Sequence, residues 1–228
     1  MAKVLISDPI STSGVQILEN SGIEVVNLKK AKKVGLKKTI QQIDGIIVRS
    51  GTIVDEELMK KAKNLQVIAR AGVGIDNIDV TYATRKGIVV INTPDVNTIS
   101  AAEHTVALLL ALSRNLHIAH DKLINGQWGR HDLIGTELKN KIIGVIGLGK
   151  IGKEVITRCK SFGMKIIGYD PYVNDENFEK EEIEILDLDS VIKSADYITL
   201  HIPLNGSTKN LFNYSNLKKM IQQDLYHY

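Results

Sequence analysis

Short apolar runs alternate with amphipathic stretches from the first residues onward. Val4-Leu5-Ile6 is a β-like run that stops at Ser7-Asp8-Pro9. Residues 13–20 read as a helix and Ile23-Glu24-Val25-Val26 as a strand. Gly45-Ile46-Ile47-Val48, Val67-Ile68-Ala69 and Ile88-Val89-Val90-Ile91 repeat the strand pattern, with helical stretches near 55–63 and 77–86 between them. Unbroken apolar runs separated by helices predict parallel strands covered on both faces. Residues 1–97 are therefore expected to form a small doubly wound α/β domain. Its carboxyl-end loops are Arg49-Ser50-Gly51, residues 70–76 and residues 92–97, where an open α/β sheet carries its ligand crevice.

A long helix is predicted from Ser100 to about Asn125. Ser100 is the expected N-cap, with Glu103 at the capping-box spacing. The Ala/Leu-rich middle is apolar on most sides, which predicts burial, in part against a second subunit. Gly126 and Gly129 break the pattern, and a second βαβ series starts at Lys141. Its strands are residues 142–146, 165–169 and 197–200. The expectation is two doubly wound parallel-sheet domains, residues 1–97 and 98–228.

Composition narrows the classes. The 228 residues are 43% hydrophobic and 24% charged, enough apolar material for a real core. The 29 basic and 26 acidic residues leave only +3, which argues against a nucleic-acid binder. The one basic cluster, Lys29, Lys30, Lys32, Lys33, Lys37 and Lys38, reads as a solvated loop and helix face. The longest apolar run, residues 106–112, falls far short of the about 20 residues that span a bilayer, so no membrane partner is expected. No signal peptide is visible, and the lone Cys159 can form no internal disulfide, which suits a cytoplasmic location. Cys159 reads as a packing residue rather than a nucleophile, and no metal-ligand set is apparent.

The chemistry is concentrated after the strand at 142–146. That strand runs into Gly147-Leu148-Gly149-Lys150-Ile151-Gly152, which opens a helix reaching Lys160, and the next strand ends at Asp170. Gly147 permits a tight turn, Gly149 lets backbone approach a pyrophosphate, and Gly152 allows close helix–strand packing. The helix start offers N–H groups and partial positive charge to phosphate. Asp170 can accept both adenosine ribose hydroxyls and repels a 2′-phosphate. Together these predict a Rossmann site for NAD rather than NADP.

Several stretches resemble the D-2-hydroxyacid dehydrogenases. They are Ala69-Arg70-Ala71-Gly72-Val73-Gly74-Ile75-Asp76-Asn77-Ile78-Asp79, Asn92-Thr93-Pro94, Ser100-Ala101-Ala102-Glu103-His104-Thr105, Gly135-Thr136-Glu137-Leu138, Ser161-Phe162-Gly163-Met164-Lys165 and Gly168-Tyr169-Asp170-Pro171. The resemblance implies a flavodoxin-like substrate domain, a Rossmann NAD-binding domain that is incomplete in this chain, and a homodimer or larger homo-oligomer. The implied reaction is hydride transfer between NAD and a small 2-hydroxy or 2-keto acid. D-3-phosphoglycerate comes first, with glyoxylate, hydroxypyruvate and lactate as alternatives. By matching motif, Arg49, Asn97 and the Val73-Gly74 backbone would face the substrate, the last offering N–H groups to its carboxylate. Lys150 and Ile151 would touch the pyrophosphate and nicotinamide side. His201 and Pro203 would line the adenosine pocket, with Thr208 reaching the phosphates. Capping and packing account for Glu103 and His104.

The family's catalytic set, an Arg, a Glu and the proton-exchanging His, finds no counterpart, and His227 lacks the surrounding motif. After Met220 the pattern departs from the family, as a shifted reading frame or a truncated gene would produce. Two expectations follow. The chain alone is inactive, and residues 142–146 become an exposed apolar sheet edge for want of a fourth strand. Two function classes stay open, a dehydrogenase or a protein that holds NAD without turnover.

Overall fold

The computed structural model describes residues 1–27, 33–94, 96–129, 131, 133–173 and 183–221. The chain divides into two compact units, Met1–Asn97 and Thr98–Tyr228.

The first unit is a five-stranded parallel sheet, built from β1 (Lys3–Ile6), β2 (Glu24–Asn27), β3 (Gly45–Val48), β4 (Val67–Arg70) and β5 (Val89–Asn92) in the order β2-β1-β3-β4-β5. Register places Val26, Leu5, Ile46, Ile68 and Val90 side by side across all five strands. That single row forms the middle of the core, with Leu5, Ile46 and Ile68 fully buried. Burial of this kind stabilises by about 1.5–3 kcal/mol per large aliphatic side chain. Helices α1 (Thr12–Asn20), α3 (Glu56–Lys61) and α4 (Val80–Arg85) start at Ser11, Asp55 and Asp79, whose side chains accept from N–H groups of the first turn. Helix α2 (Lys33–Thr39), which carries part of the basic cluster read as a loop and helix face, leads into a 3₁₀ turn at Ile40–Gln42. Lys29, Lys30 and Lys32 of the basic cluster lie outside the described residues.

The second unit opens with α5 (Thr98–Ser113) and α6 (Leu116–Ile124), where the sequence predicts one helix. Asn115 separates them in the left-handed region, at φ 53. Asparagine tolerates that conformation because its short polar side chain bonds locally, and here the Asn115 amide donates to the Ile134 carbonyl at 2.9 Å. Asn115→Val is expected to cost about 1–2 kcal/mol of stability, read as a lower thermal midpoint, because a β-branched residue is strained at positive φ. Ser100 lies inside α5, two residues beyond its start, so it is not the cap predicted for it. Burial on α5 follows one stripe, Ala102, Val106, Leu109 and Ser113, facing α7 (Lys150–Ser161). The remaining faces of α5 are open, with Leu108 and Leu112 exposed, so within this unit the helix is not buried on most sides.

The sheet of this unit comprises β6 (Ile142–Ile146), β7 (Lys165–Tyr169), β8 (Glu184–Ile185) and β9 (Tyr197–Leu200), all parallel, in the order β8-β7-β6-β9. The predicted exposed edge at β6 is corrected by this order. β9 crosses to the far side of β6, so β6 is interior and β9 is the edge. The two-residue β8, not among the predicted strands, forms the other edge beside β7. The apolar opening lies beside β9, as a groove of about 610 Å³ whose lining includes Leu108, Leu112, Tyr197, Leu217 and Met220. Gly144 on β6 lets α8 (Leu188–Ser194) pack closely, since a Cβ there would come within 2.7 Å of Val191 Cγ1. Asp187 caps α8 and is held below the usual carboxylate range by the Ser190 hydroxyl and N–H. The closing α9 (Tyr214–Ile221) is tied to α8 by Lys219 and Asp189. The tail from 222 onward, including His227, lies outside the described residues. Among the described residues no helix is long and apolar enough to cross a membrane.

Candidate functional site

The glycine turn sits where β6 hands over to α7. Gly147 has φ +95, and a Cβ on it would meet the His201 carbonyl oxygen at 2.5 Å. A Cβ on Gly152, in the first turn of α7, would come within 2.2 Å of the Gly147 carbonyl oxygen. These two glycines let strand, turn and helix close on one another. Gly149 differs. A Cβ there would meet nothing within 4 Å, so its lack of a side chain leaves open space rather than relieving an internal contact. Gly149 is also the N-cap of α7 and makes no side-chain cap bond, whereas α1, α3, α4 and α8 each have one. The N-cap of α7 thus supplies no side-chain acceptor of its own, an arrangement that suits an anion at the helix start.

Asp170 lies at the carboxyl end of β7 and braces this turn. Its Oδ2 accepts from the Leu148 N–H at 2.9 Å and its Oδ1 from the Tyr172 N–H at 2.9 Å. The acid expected to read a ribose therefore also fixes the backbone between the first two glycines. Lys150 is exposed at the start of α7, and Ile151 is half-buried against the core. The open space at Gly149, the uncapped helix and the braced Asp170 fit a dinucleotide whose pyrophosphate meets backbone and whose ribose meets a carboxylate.

His201 follows β9. Its N–H donates to the Ile146 carbonyl at 2.7 Å, and its Nε2 lies 3.0 Å from Thr199 Oγ1. Burial holds its pKa below the ordinary histidine value, so it is neutral at pH 7 and offers a phosphate no positive charge. Pro203 and Thr208 belong to one tight loop. The Thr208 hydroxyl donates to the Pro203 carbonyl at 2.6 Å and accepts from the Asn205 N–H at 2.8 Å. In this arrangement it shapes the loop rather than projecting from it. A hollow of about 350 Å³ lies along the same loop, lined by Ile202, Pro203, Leu204 and Thr208 among others. Burial pushes the Cys159 thiol up to about 11, which keeps it protonated and agrees with a packing role. Glu103 on α5 reaches Arg158 of α7 at 4.0 Å.

The residues expected on the substrate side lie in the first unit at the carboxyl ends of its strands. Arg49 follows β3 and is exposed, as are Val73, Gly74 and Asn97. The loop carrying Val73 is tied down by Asn92, which donates to the Val73 carbonyl at 2.7 Å, and by the Thr93 N–H on the Gly72 carbonyl at 3.1 Å. Among the described residues the Val73 and Gly74 N–H groups meet no protein acceptor. Two residues the sequence reading passed over hold the Arg49 loop. Asp8 accepts from the Arg49 N–H at 2.6 Å and from the Thr52 N–H at 3.0 Å, and Asn77 donates to the Arg49 carbonyl at 2.8 Å. Asp8 and Asn77 both follow strands of the same sheet, and Asn77 also lies within the stretch 69–79 that carries the family resemblance.

Comparison with known proteins agrees with this geometry. The family described as D-isomer specific 2-hydroxyacid dehydrogenase, NAD binding domain, matches residues 106–225. The chain belongs to this family. It is 45% identical, over 221 residues, to the D-3-phosphoglycerate dehydrogenase of Methanocaldococcus jannaschii, covering 96% of this chain and 42% of that protein. It is 44% identical over 213 residues to the Sus scrofa protein of the same name, covering 93% of this chain and 40% of the relative. The chain thus spans about two fifths of the length of these curated relatives. Among solved structures, the NAD-dependent formate dehydrogenase of Staphylococcus aureus in complex with NAD superposes with TM-score 0.86 at 30% identity, covering 96% of this chain and 70% of that one. The TT0316 protein of Thermus thermophilus gives 0.85 at 31%, with the same coverage.

Proposed function

We propose that these residues belong to an NAD-dependent oxidoreductase that acts on the CH–OH group of D-3-phosphoglycerate and yields 3-phosphohydroxypyruvate, the entry step to serine synthesis. The observation that carries the choice of substrate is the 45% identity to a D-3-phosphoglycerate dehydrogenase along 96% of the chain. The reaction removes a hydride from the carbon and a proton from the hydroxyl oxygen it bears, leaving a C=O group, and the dinucleotide, when bound, supplies the hydride acceptor. The chain's own residues bind and orient. The Val73 and Gly74 N–H groups take the substrate carboxylate, with Arg49 and Asn97 beside them. Gly149, Lys150 and Ile151 take the pyrophosphate and nicotinamide side, Asp170 the adenosine ribose, His201 and Pro203 the adenosine, and Thr208 the phosphates.

No residue of these 228 matches the Arg, Glu and His that the family resemblance assigns to the chemistry. The hydroxyl proton then has no positioned acceptor, and general-base catalysis contributes about 10²–10⁴-fold. Assayed on their own with NAD and D-3-phosphoglycerate, these residues are expected to bind dinucleotide without measurable turnover. The substrate is tested with the full-length protein on a panel of 2-hydroxy acids. Activity on glyoxylate or lactate with none on phosphoglycerate would overturn the substrate choice. Clear turnover by the 228 residues would overturn the expectation of inactivity.

Self-association through α5 and α6 belongs to the same reading, with a cytoplasmic location. Leu112, Leu116, Leu123 and Ile124 are all more than half exposed, and Trp128 beyond them is 82% exposed. Apolar surface of this extent marks a contact with another protein surface. Light scattering at rising concentration is expected to report a dimer, and a monomer throughout would contradict it.

A further inference from the structure

We infer that Asn77 is a positioning residue, one that sets Arg49 for an anionic ligand. The inference rests on the reading of Arg49 as a substrate-side residue. Three strand-end loops of the first unit meet at one residue, Arg49. The loop after β1 supplies Asp8, which accepts the Arg49 N–H at 2.6 Å. The loop after β4 supplies Asn77, whose Nδ2 donates to the Arg49 carbonyl at 2.8 Å and to the Thr52 carbonyl at 2.6 Å. Arg49 is therefore held on both sides of its backbone, while its guanidinium, among the described residues, meets no hydrogen-bond or ion-pair partner. A fixed stem with an open cationic head is the arrangement that loses least freedom when an anion arrives.

The chemistry of the amide makes asparagine specific here. Both hydrogens of Nδ2 are used, one on each carbonyl, and Oδ1 accepts from Arg70 Nη1. A reversed amide would set its oxygen against two carbonyl oxygens and its NH₂ against a guanidinium, so the orientation is determined. Arg70 is largely buried: its side chain is 11% exposed and lies 3.5 Å from Asp76. Its Nη1 donates to the Asn77 oxygen, and the Asn77 amide in turn donates to the Arg49 carbonyl. Aspartate at position 77 would keep the bond to Arg70 and lose both donors. Alanine would lose all three contacts.

The test uses the whole 228-residue chain with saturating NAD, titrated with D-3-phosphoglycerate and followed by ¹H–¹⁵N NMR, including the Arg49 Nε–H signal. Asn77→Asp and Asn77→Ala are each expected to weaken binding at least tenfold. Each should speed hydrogen exchange at the Arg49 N–H and abolish the ligand-induced shift of Arg49 Nε–H. Amides of the central strands β1 and β3 should stay in place, which a general loss of structure would not allow. Arg49→Ala controls the underlying reading and is expected to abolish binding. If Arg49→Ala abolishes binding while both Asn77 variants bind within twofold of the unmodified chain, the positioning role is wrong and the substrate reading stands. If Arg49→Ala binds normally, or the unmodified chain does not bind, the substrate reading is wrong and the inference falls with it.

Discussion

Gly152→Ala is expected to destabilise the second unit by about 1–3 kcal/mol, as forced overpacking does, and to weaken NAD binding at least a hundredfold. The new Cβ would stand 2.2 Å from the Gly147 carbonyl oxygen. That neighbour is backbone and cannot rotate away, so either α7 lifts from β6 or the glycine turn opens. Both displace the groups proposed to meet the pyrophosphate. Gly149→Ala separates stability from binding. Its Cβ has open space and its φ of −71 suits any residue, so the melting temperature should hold while affinity falls, because the methyl group occupies the volume a phosphate needs. A thermal melt and a calorimetric NAD titration on both variants check this. An unchanged affinity in Gly149→Ala would contradict the placement of the pyrophosphate.

Asp170→Ala is expected to do two things at once. Removing the carboxylate removes repulsion of a 2′-phosphate, so NADP binds more tightly relative to NAD. It also deletes the acceptor of the Leu148 and Tyr172 N–H groups. Bonds of backbone N–H to a charged acceptor contribute about 1.5–3 kcal/mol, so NAD affinity itself should fall by about ten- to a hundredfold. Asp170→Asn keeps an acceptor oxygen and removes the charge. It should relax selectivity with a smaller loss of NAD affinity. Equal losses in the two variants, with selectivity unchanged, would mean that Asp170 only braces the turn.

Much of the fold was legible because its strands are unbroken apolar runs, and their positions in the chain match the sheets to within one or two residues. What the sequence concealed was decided by single residues or by long-range pairing. The Ala/Leu-rich pattern runs through Asn115 without a break, and only the left-handed backbone there ends α5. β8 has two residues, too few to show a period. The placement of β9 was missed because strands consecutive in sequence usually lie side by side, whereas this chain crosses to the other side of β6 after α8. That crossing turns the expected edge into the middle of the sheet.

The nucleotide half of the site was readable for the opposite reason. Gly147, Gly149, Gly152 and Asp170 each answer to a local geometric demand, and the spacing of glycines, helix and acid carries it. The substrate half was readable only in part. Arg49, Val73 and Gly74 came from motif, but the Asp8 and Asn77 bonds that hold the Arg49 loop join strand ends far apart in the chain. No local pattern announces such pairs. The motif position of Thr208 suggests phosphate contact, and its hydroxyl also closes its own loop on Pro203 and Asn205.

A dinucleotide site at the N-terminus of α7, selective for NAD, can be read by titrating the 228-residue chain with NAD and with NADP while following backbone amide signals. Saturable NAD binding is expected, with the largest shifts at Gly149, Lys150, Ile151 and Tyr172, and NADP weaker by at least tenfold. Equal affinity for the two dinucleotides, or shifts that leave residues 147–152 unmoved, would contradict it.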